Sequence, residues 1–198
     1  MLQIDMILSN KILLMNNKIL VIVDMQNDFV TGVLGGELQK GIVQNVCNKI
    51  KQAIKDNQFI VFTRDTHYDD YLETREGKHL PIPHCIFGTN GYELIPEIME
   101  LIKSYSNIAF IDKMDSFGII SSEIPNEVRL PIYNAKDGFE ICGLVTNMCV
   151  LSIAVSLQNI YNNLEITIDA SCCASFNKEL HEKALDIMEG LQMNIINR

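Results

Sequence analysis

Cys149, in Gly143-Leu-Val-Thr-Asn-Met-Cys149-Val, follows a mostly apolar run (Phe139 to Cys142) and heads an apolar-periodic stretch. Strand, glycine turn and helix in that order set a thiol in the first helical turn, where unsatisfied backbone N–H groups and the helix dipole favour negative charge. A thiol so placed is expected to fall from its free pKa of about 8.5 toward roughly 3.5–7.5 and to supply a nucleophile at neutral pH. A lone cysteine is more often just a small buried side chain. A catalytic role therefore needs partners.

Two partners stand at the ends of other apolar runs. Asp24 follows Ile19-Leu-Val-Ile-Val23 and opens Asp24-Met-Gln-Asn-Asp-Phe29. An aspartate there commonly makes only an Asx turn. Buried beside a cation, it can instead take the proton of the thiol and return it to a leaving group, a general-base contribution of roughly 10²–10⁴ in rate. Lys113 closes Ile108–Lys113 and is the natural cation. It is either a solvated lysine or a side chain in the crevice that tethers the aspartate, favours thiolate and stabilises developing negative charge.

A second cluster has the chemistry of a metal site. Asp65-Thr-His67 leaves a strand, and His84 follows Leu80-Pro-Ile-Pro83. A carboxylate and an imidazole two residues apart can reach one ion together with a distant histidine, and this donor set suits zinc, with manganese or iron as alternatives. The spacing is less specific than His-Glu-x-x-His, yet three of the four histidines, His67, His79 and His84, fall in this one stretch. Glu76 is a further ligand, direct or through water, or else a solvated loop residue. His79 and Cys85 are weaker candidates. His181 lies in a charged stretch and reads as a surface residue.

The elements that position these groups alternate: strands at Lys18–Asp24, Phe59–Asp65, Ile108–Lys113, Gly138–Gly143, Leu164–Asp169 and Met193–Ile196, and helices near Leu38–Lys55, Tyr92–Ser104, Asn147–Tyr161 and Lys178–Gly190. A helical turn or two is expected near Phe117–Ile124. Largely apolar strands alternating with helices predict a three-layer αβα, Rossmann-like α/β fold with an open, mainly parallel sheet of about six strands and right-handed crossovers. Ligands of such sheets bind beyond the carboxyl ends of the strands, where strand order reverses. Asp24, Asp65, Lys113 and, past its turn, Cys149 all belong to that edge. Helix capping does not account for the set, because lysine is a poor N-cap.

Together, Asp24-Met-Gln-Asn-Asp-Phe29, Asp65-Thr-His67, Pro83-His84, Lys113 and Gly143-Leu-Val-Thr-Asn-Met-Cys149 resemble the isochorismatase-like cysteine hydrolases, and most closely their nicotinamidase branch. The likeness runs from about Lys18 to Ile196 and includes Asp169-Ala-Ser-Cys-Cys-Ala-Ser175. It implies an Asp24–Lys113–Cys149 triad and a divalent metal on Asp65, His67 and His84, with Glu76 as a further member. It also implies a cis peptide at Leu144–Val145, an oxyanion hole from the Val145 and Cys149 N–H groups, and a substrate pocket involving Phe29, Phe117 and Leu144. The implied reaction is nicotinamide plus water to nicotinate and ammonia through a cysteine thioester. The alternatives are a related amidase acting on a carbamoyl or ureido substrate, or a catalytically silent binding member. Leu80-Pro81-Ile82 stands where the branch often carries Trp or Phe, and Asn147 where many relatives carry aspartate. Members commonly self-associate, so a homo-oligomer is expected.

Composition is consistent with this. The chain has 198 residues, 47% hydrophobic and 21% charged, which fits one globular domain at 18–198 preceded by an extension, 1–17, read as an upstream start or a disordered tail. A formal charge of −9 argues against nucleic-acid binding. The longest aliphatic run, Ile19 to Val23, is far too short to cross a membrane. Six cysteines without framework or metal-ribbon spacing point to a reduced, cytoplasmic protein. That it acts on a small molecule is what the family resemblance implies.

Overall fold

The computed structural model describes residues 18–114 and 116–198; the expected extension at 1–17 lies outside them. Six strands form one sheet: β1 (Ile19–Val23), β2 (Ile60–Thr66), β3 (Ile108–Met114), β4 (Phe139–Leu144), β5 (Ile166–Ala174) and β6 (Asn194–Ile196). Every pairing is parallel, and the order is β3-β2-β1-β4-β5-β6. All five residues of β1 are buried, as expected of a central strand covered on both faces.

The longer helices are α1 (Val43–Lys55), α2 (Pro96–Ile102), α3 (Asn126–Asn134), α4 (Leu151–Ile160) and α5 (Lys178–Gly190). α1 packs on α2, and α4 on α5. Val46, Cys47, Ile50 and Ala53 form the buried stripe of α1 at helical spacing. Pro96 opens α2 at a position that needs no N–H donor. The Asn177 side chain caps α5 by accepting the Glu179 and Leu180 N–H groups at 2.7 and 3.2 Å.

Strand order reverses between β1 and β4, so a crevice is expected beyond their carboxyl ends. The two strands approach closely there. Gly143 has φ 128°, and a Cβ built on it would lie 2.1 Å from the Val23 carbonyl oxygen. Only glycine fits.

Several boundaries differ from expectation. The helix expected over Leu38–Lys55 is broken at Ile42 into a short turn (Glu37–Gly41) and α1. The helical turn expected near Phe117–Ile124 is present as a 3-10 turn at Ser121–Glu123. α3, which follows it, was hidden by Pro131 in its interior, a residue that normally disrupts helices. The helix expected from Asn147 begins instead as a π-helical turn, Thr146–Val150, and becomes α-helical at Leu151. β5 continues past Asp169 to Ala174.

Candidate active site

The strand ends bring the three candidate catalytic side chains together. Asp24 ends β1 with φ 47°, a left-handed conformation that aspartate tolerates better than most residues. Lys113, on β3, is fully buried and sends its Nζ to within 2.8 Å of Asp24 Oδ2 and 3.7 Å of Cys149 Sγ. The Asp24–Lys113 contact is a fully buried ion pair. The other carboxylate oxygen accepts from Thr63 Oγ1 at 2.6 Å. Lys113 Nζ also reaches the Ser116 carbonyl at 3.4 Å and Asp65 Oδ1 at 3.7 Å.

The electrostatics revise one expectation. Burial pushes the Cys149 thiol well above its ordinary pKa, and the Asp24 and Asp65 carboxylates push the same way; Lys113 only partly offsets them. Cys149 is 4% exposed, in a π-helical turn packed against α4 and α5. The expected low-pKa thiolate at an open helix terminus is therefore replaced by a buried thiol that needs a base. Asp24 suits that task. Burial raises its carboxyl above the usual range despite the Lys113 charge, and a raised pKa narrows the gap across which a proton must move.

The expected metal donors also converge. One ligand atom each from Asp65, His67, Glu76 and His84 lies within 4.8 Å of the others. His67 Nε2 and His84 Nε2 approach the same oxygen, Asp65 Oδ2, at 3.1 and 3.3 Å, and Glu76 Oε1 is 3.9 Å from His84 Nε2. His84 Nδ1 lies 2.8 Å from the Ile82 carbonyl, so it donates there and leaves the Nε2 lone pair for an ion. Although burial opposes charge on His84, Asp65 and the Ile82 carbonyl outweigh it and raise its pKa. Burial likewise works against ionised Asp65, but Lys113 and the two imidazoles hold its carboxyl far below the usual range. The cluster favours a positive charge at its centre, and two imidazoles with two carboxylates fit a divalent transition metal. His79 is exposed and outside the group; Cys85 is buried and also outside it.

Residues 18–197 match the isochorismatase domain family. The chain belongs to the isochorismatase family. By sequence it is similar to the nicotinamidase of Saccharomyces cerevisiae, 23% identical over 221 residues, covering 91% of this chain and 100% of the yeast protein. By structure it is similar to the nicotinamidase of Bacillus subtilis, with TM-score 0.76, 28% identity and coverage of 90% of this chain and 98% of that one. The pyrazinamidase of Pyrococcus horikoshii, solved in complex with zinc, shares the fold at TM-score 0.72 and 22% identity, over 92% of this chain and 99% of that one.

Two residues of this isochorismatase-family hydrolase escaped sequence reasoning. Gln26 is fully buried, and its amide pairs with both backbone groups of Asp65: Nε2 donates to the Asp65 carbonyl at 2.8 Å, and Oε1 accepts the Asp65 N–H at 2.7 Å. Nε2 also donates to the Tyr92 carbonyl at 2.8 Å. This side chain fixes the residue that links Lys113 to the metal donors. The Gln26→Met variant is expected to lose about 2–3 kcal/mol of stability in urea unfolding, because three buried backbone groups lose their partner; an unchanged midpoint would refute that role.

His181 is the other, and the surface assignment is corrected. It is half-buried, and its Nδ1 lies 2.8 Å from the hydroxyl of Thr146, the first residue of the π-helical turn that carries Cys149. The helical charge pattern gave no sign of this, because the contact spans 35 residues. The Leu144–Val145 peptide is cis. Phe29 is buried with its ring edge-on to His84 at 5.5 Å, Leu144 is fully buried and Phe117 half-buried. All six cysteines are free thiols. A separate cleft of about 360 Å³ is lined by Lys49, Glu140, Asp169 and Cys172 among others, and holds no triad or metal-donor side chain. No helix among the described residues is long and apolar enough to cross a membrane.

Proposed function

We propose that this protein is a metal-containing cysteine amidohydrolase whose leading substrate is nicotinamide, released as nicotinate and ammonia. The observation that carries this is a fully buried Lys113 Nζ, 2.8 Å from a carboxylate and 3.7 Å from a thiol, beside four convergent metal donors. The similarity to two nicotinamidases supports the choice of amide.

In the proposed reaction Asp24 takes the proton of Cys149 as Sγ bonds to the amide carbon. The tetrahedral oxyanion is held by the Val145 and Cys149 N–H groups. Lys113 keeps the pocket's charge balanced while the proton is on Asp24. As the C–N bond breaks, Asp24 gives that proton to the leaving nitrogen, and ammonia departs from the thioester. Water then cleaves the thioester, again with Asp24 as base, to give the acid and free thiol. Asp65, His67, His84 and Glu76 would hold the ion, zinc by preference for this nitrogen and oxygen set. When bound, it supplies a Lewis acid that ligates a pyridine-type nitrogen. Phe29, Phe117 and Leu144 are proposed to flank a flat ring.

The test is ammonia release from nicotinamide and from carbamoyl and ureido compounds, with metal analysis of the same preparation. Nicotinamide is expected to be the preferred substrate and zinc to be near one per chain. Chelation is expected to reduce the rate by about 10–100-fold, with recovery on adding zinc. Preference for a carbamoyl compound would reject the nicotinamide assignment, and a fully active metal-free protein would reject the metal site.

A further inference from the structure

We propose that His181 and Ser175 are positioning residues for the nucleophile: they clamp the turn that carries Cys149 by bonding its first two side chains, Thr146 and Asn147. The inference rests on the cysteine-hydrolase reading above and adds two residues to it.

The turn from Val145 to Val150 has to present two backbone N–H groups and one sulfur to a single point. Thr146 follows Val145 directly and is fully buried. A buried hydroxyl without a partner is costly, and this one has His181 Nδ1 at 2.8 Å. Asn147 is anchored in the same way, by a short hydrogen bond from Ser175 Oγ to its Oδ1. Ser175 lies in the segment joining β5 to α5, and His181 in the first turns of α5 itself. Ser175 is itself buried and follows the last β5 residue, Ala174.

His181 is set by the helix cap. Asn177 accepts the Glu179 and Leu180 N–H groups, and its carbonyl accepts the His181 N–H at 3.0 Å. The imidazole is thereby held one turn into α5, facing the turn rather than solvent. Burial lowers its pKa, and the opposing charge of Glu182 does not restore it, which favours the neutral ring; Nδ1 and the Thr146 hydroxyl share one hydrogen bond. The His181 and Ser175 side chains bond Thr146 and Asn147 rather than Asp24, Lys113 or Cys149. Their effect passes through the backbone of Thr146 and Asn147 to the Val145 and Cys149 N–H groups. A misplacement of about 1 Å there is enough to cost on the order of 10²-fold in rate.

The experiment compares His181→Ala, His181→Asn, Ser175→Ala, Thr146→Val and the Thr146→Val/His181→Ala double variant. Ser175→Ala is expected to lower kcat with KM little changed, and a kcat equal to the parent's would remove Ser175 from the clamp. Readouts are kcat and KM for ammonia release from nicotinamide, and the rate of Cys149 alkylation by iodoacetamide. His181→Ala is expected to lower kcat by about 10–100-fold with KM within about twofold. His181→Asn places an amide where Nδ1 was and is expected to recover most of that loss. The double variant is expected to be no worse than the poorer single one, since both remove the same bond. Alkylation should follow the same order.

The proposal is overturned if the loss appears in KM, if asparagine does not rescue, or if the two losses simply multiply. Alkylation needs no substrate. If the parent fails to release ammonia, the substrate assignment falls, while the order of alkylation rates still decides the clamp. A variant that melts well below the parent is judged on His181→Asn, whose hydrogen bond is retained. If His181→Asn is folded yet behaves like alanine, the clamp is rejected.

Discussion

The Cys149→Ala variant is expected to lower kcat by about 10⁴-fold or more while its affinity for nicotinamide stays within a few-fold of the parent. Only the sulfur is removed. Losing the nucleophile of a triad typically costs more than that, and what remains comes from oxyanion stabilisation and binding alone. The metal donors and the ring contacts proposed for Phe29 are untouched, so the ground-state complex should survive. The Asp24→Asn variant should lose nearly as much, because burial leaves Cys149 as a thiol that cannot attack until a base removes its proton. Two residues acting as a unit are not additive. The double variant should thus be about as slow as Cys149→Ala. Turnover by steady-state ammonia release and binding by titration calorimetry check these points together. Retention of more than about 1% of parental kcat in Cys149→Ala would remove the covalent mechanism.

Why these three side chains were visible in the sequence, and others were not, follows from the range over which each signal acts. A parallel strand buried on both faces must be apolar along its length, so a charged residue at its end is conspicuous. Asp24 follows such a run in β1, Asp65 and Lys113 lie just past the apolar segments of β2 and of the edge strand β3, and β-sheet topology then collects them at one edge. The metal-donor cluster was legible from residue types in one stretch of chain, whereas the cis peptide came from the family likeness alone. The Leu144–Val145 peptide is cis, and ligand atoms from Asp65, His67, Glu76 and His84, one from each, converge. Gln26 and His181 carried no comparable mark. Gln26 sits among polar neighbours, and its role depends on pairing with a strand 39 residues away. His181 lies on an amphipathic helix whose charged face predicts exposure, yet one turn of that face meets the turn that carries Cys149. The thiol pKa went wrong for a related reason. Helix position is a local signal, whereas the burial that dominates Cys149 is set by β4, α4 and α5 closing around it.

Lys113→Met is expected to cost about 3–5 kcal/mol of folding stability as well as activity, because it strands buried carboxylates without their cation. Asp24 and Lys113 are both fully buried, 2.8 Å apart. Their ionisation is unfavourable for each alone and tolerable only for the pair. Methionine keeps the length and apolar stem of lysine but leaves Asp24 with the single hydrogen bond from Thr63. The variant's least costly response is to keep Asp24 protonated. Its folded-state pKa is then raised further above the unfolded value of about 3.9. With the native state holding a proton that the unfolded state has released, stability falls as pH rises, by up to about 1.4 kcal/mol per unit, until the folded pKa is passed. The deficit against the parent should therefore be smaller near pH 5 than near pH 8. Removing the partner charge as well should reverse most of the loss: Lys113→Met/Asp24→Asn is expected to unfold closer to the parent while remaining inactive, since a neutral buried pair carries far less desolvation cost than one unpaired ion. Asp65 loses a cation in both variants but keeps His67 and His84. Urea unfolding of parent, single and double variants at the two pH values separates the contributions. A single variant as stable as the parent at both pH values would mean that the lysine does not compensate these carboxylates at all, and the same cation could not then be what balances the pocket when Asp24 takes the thiol proton.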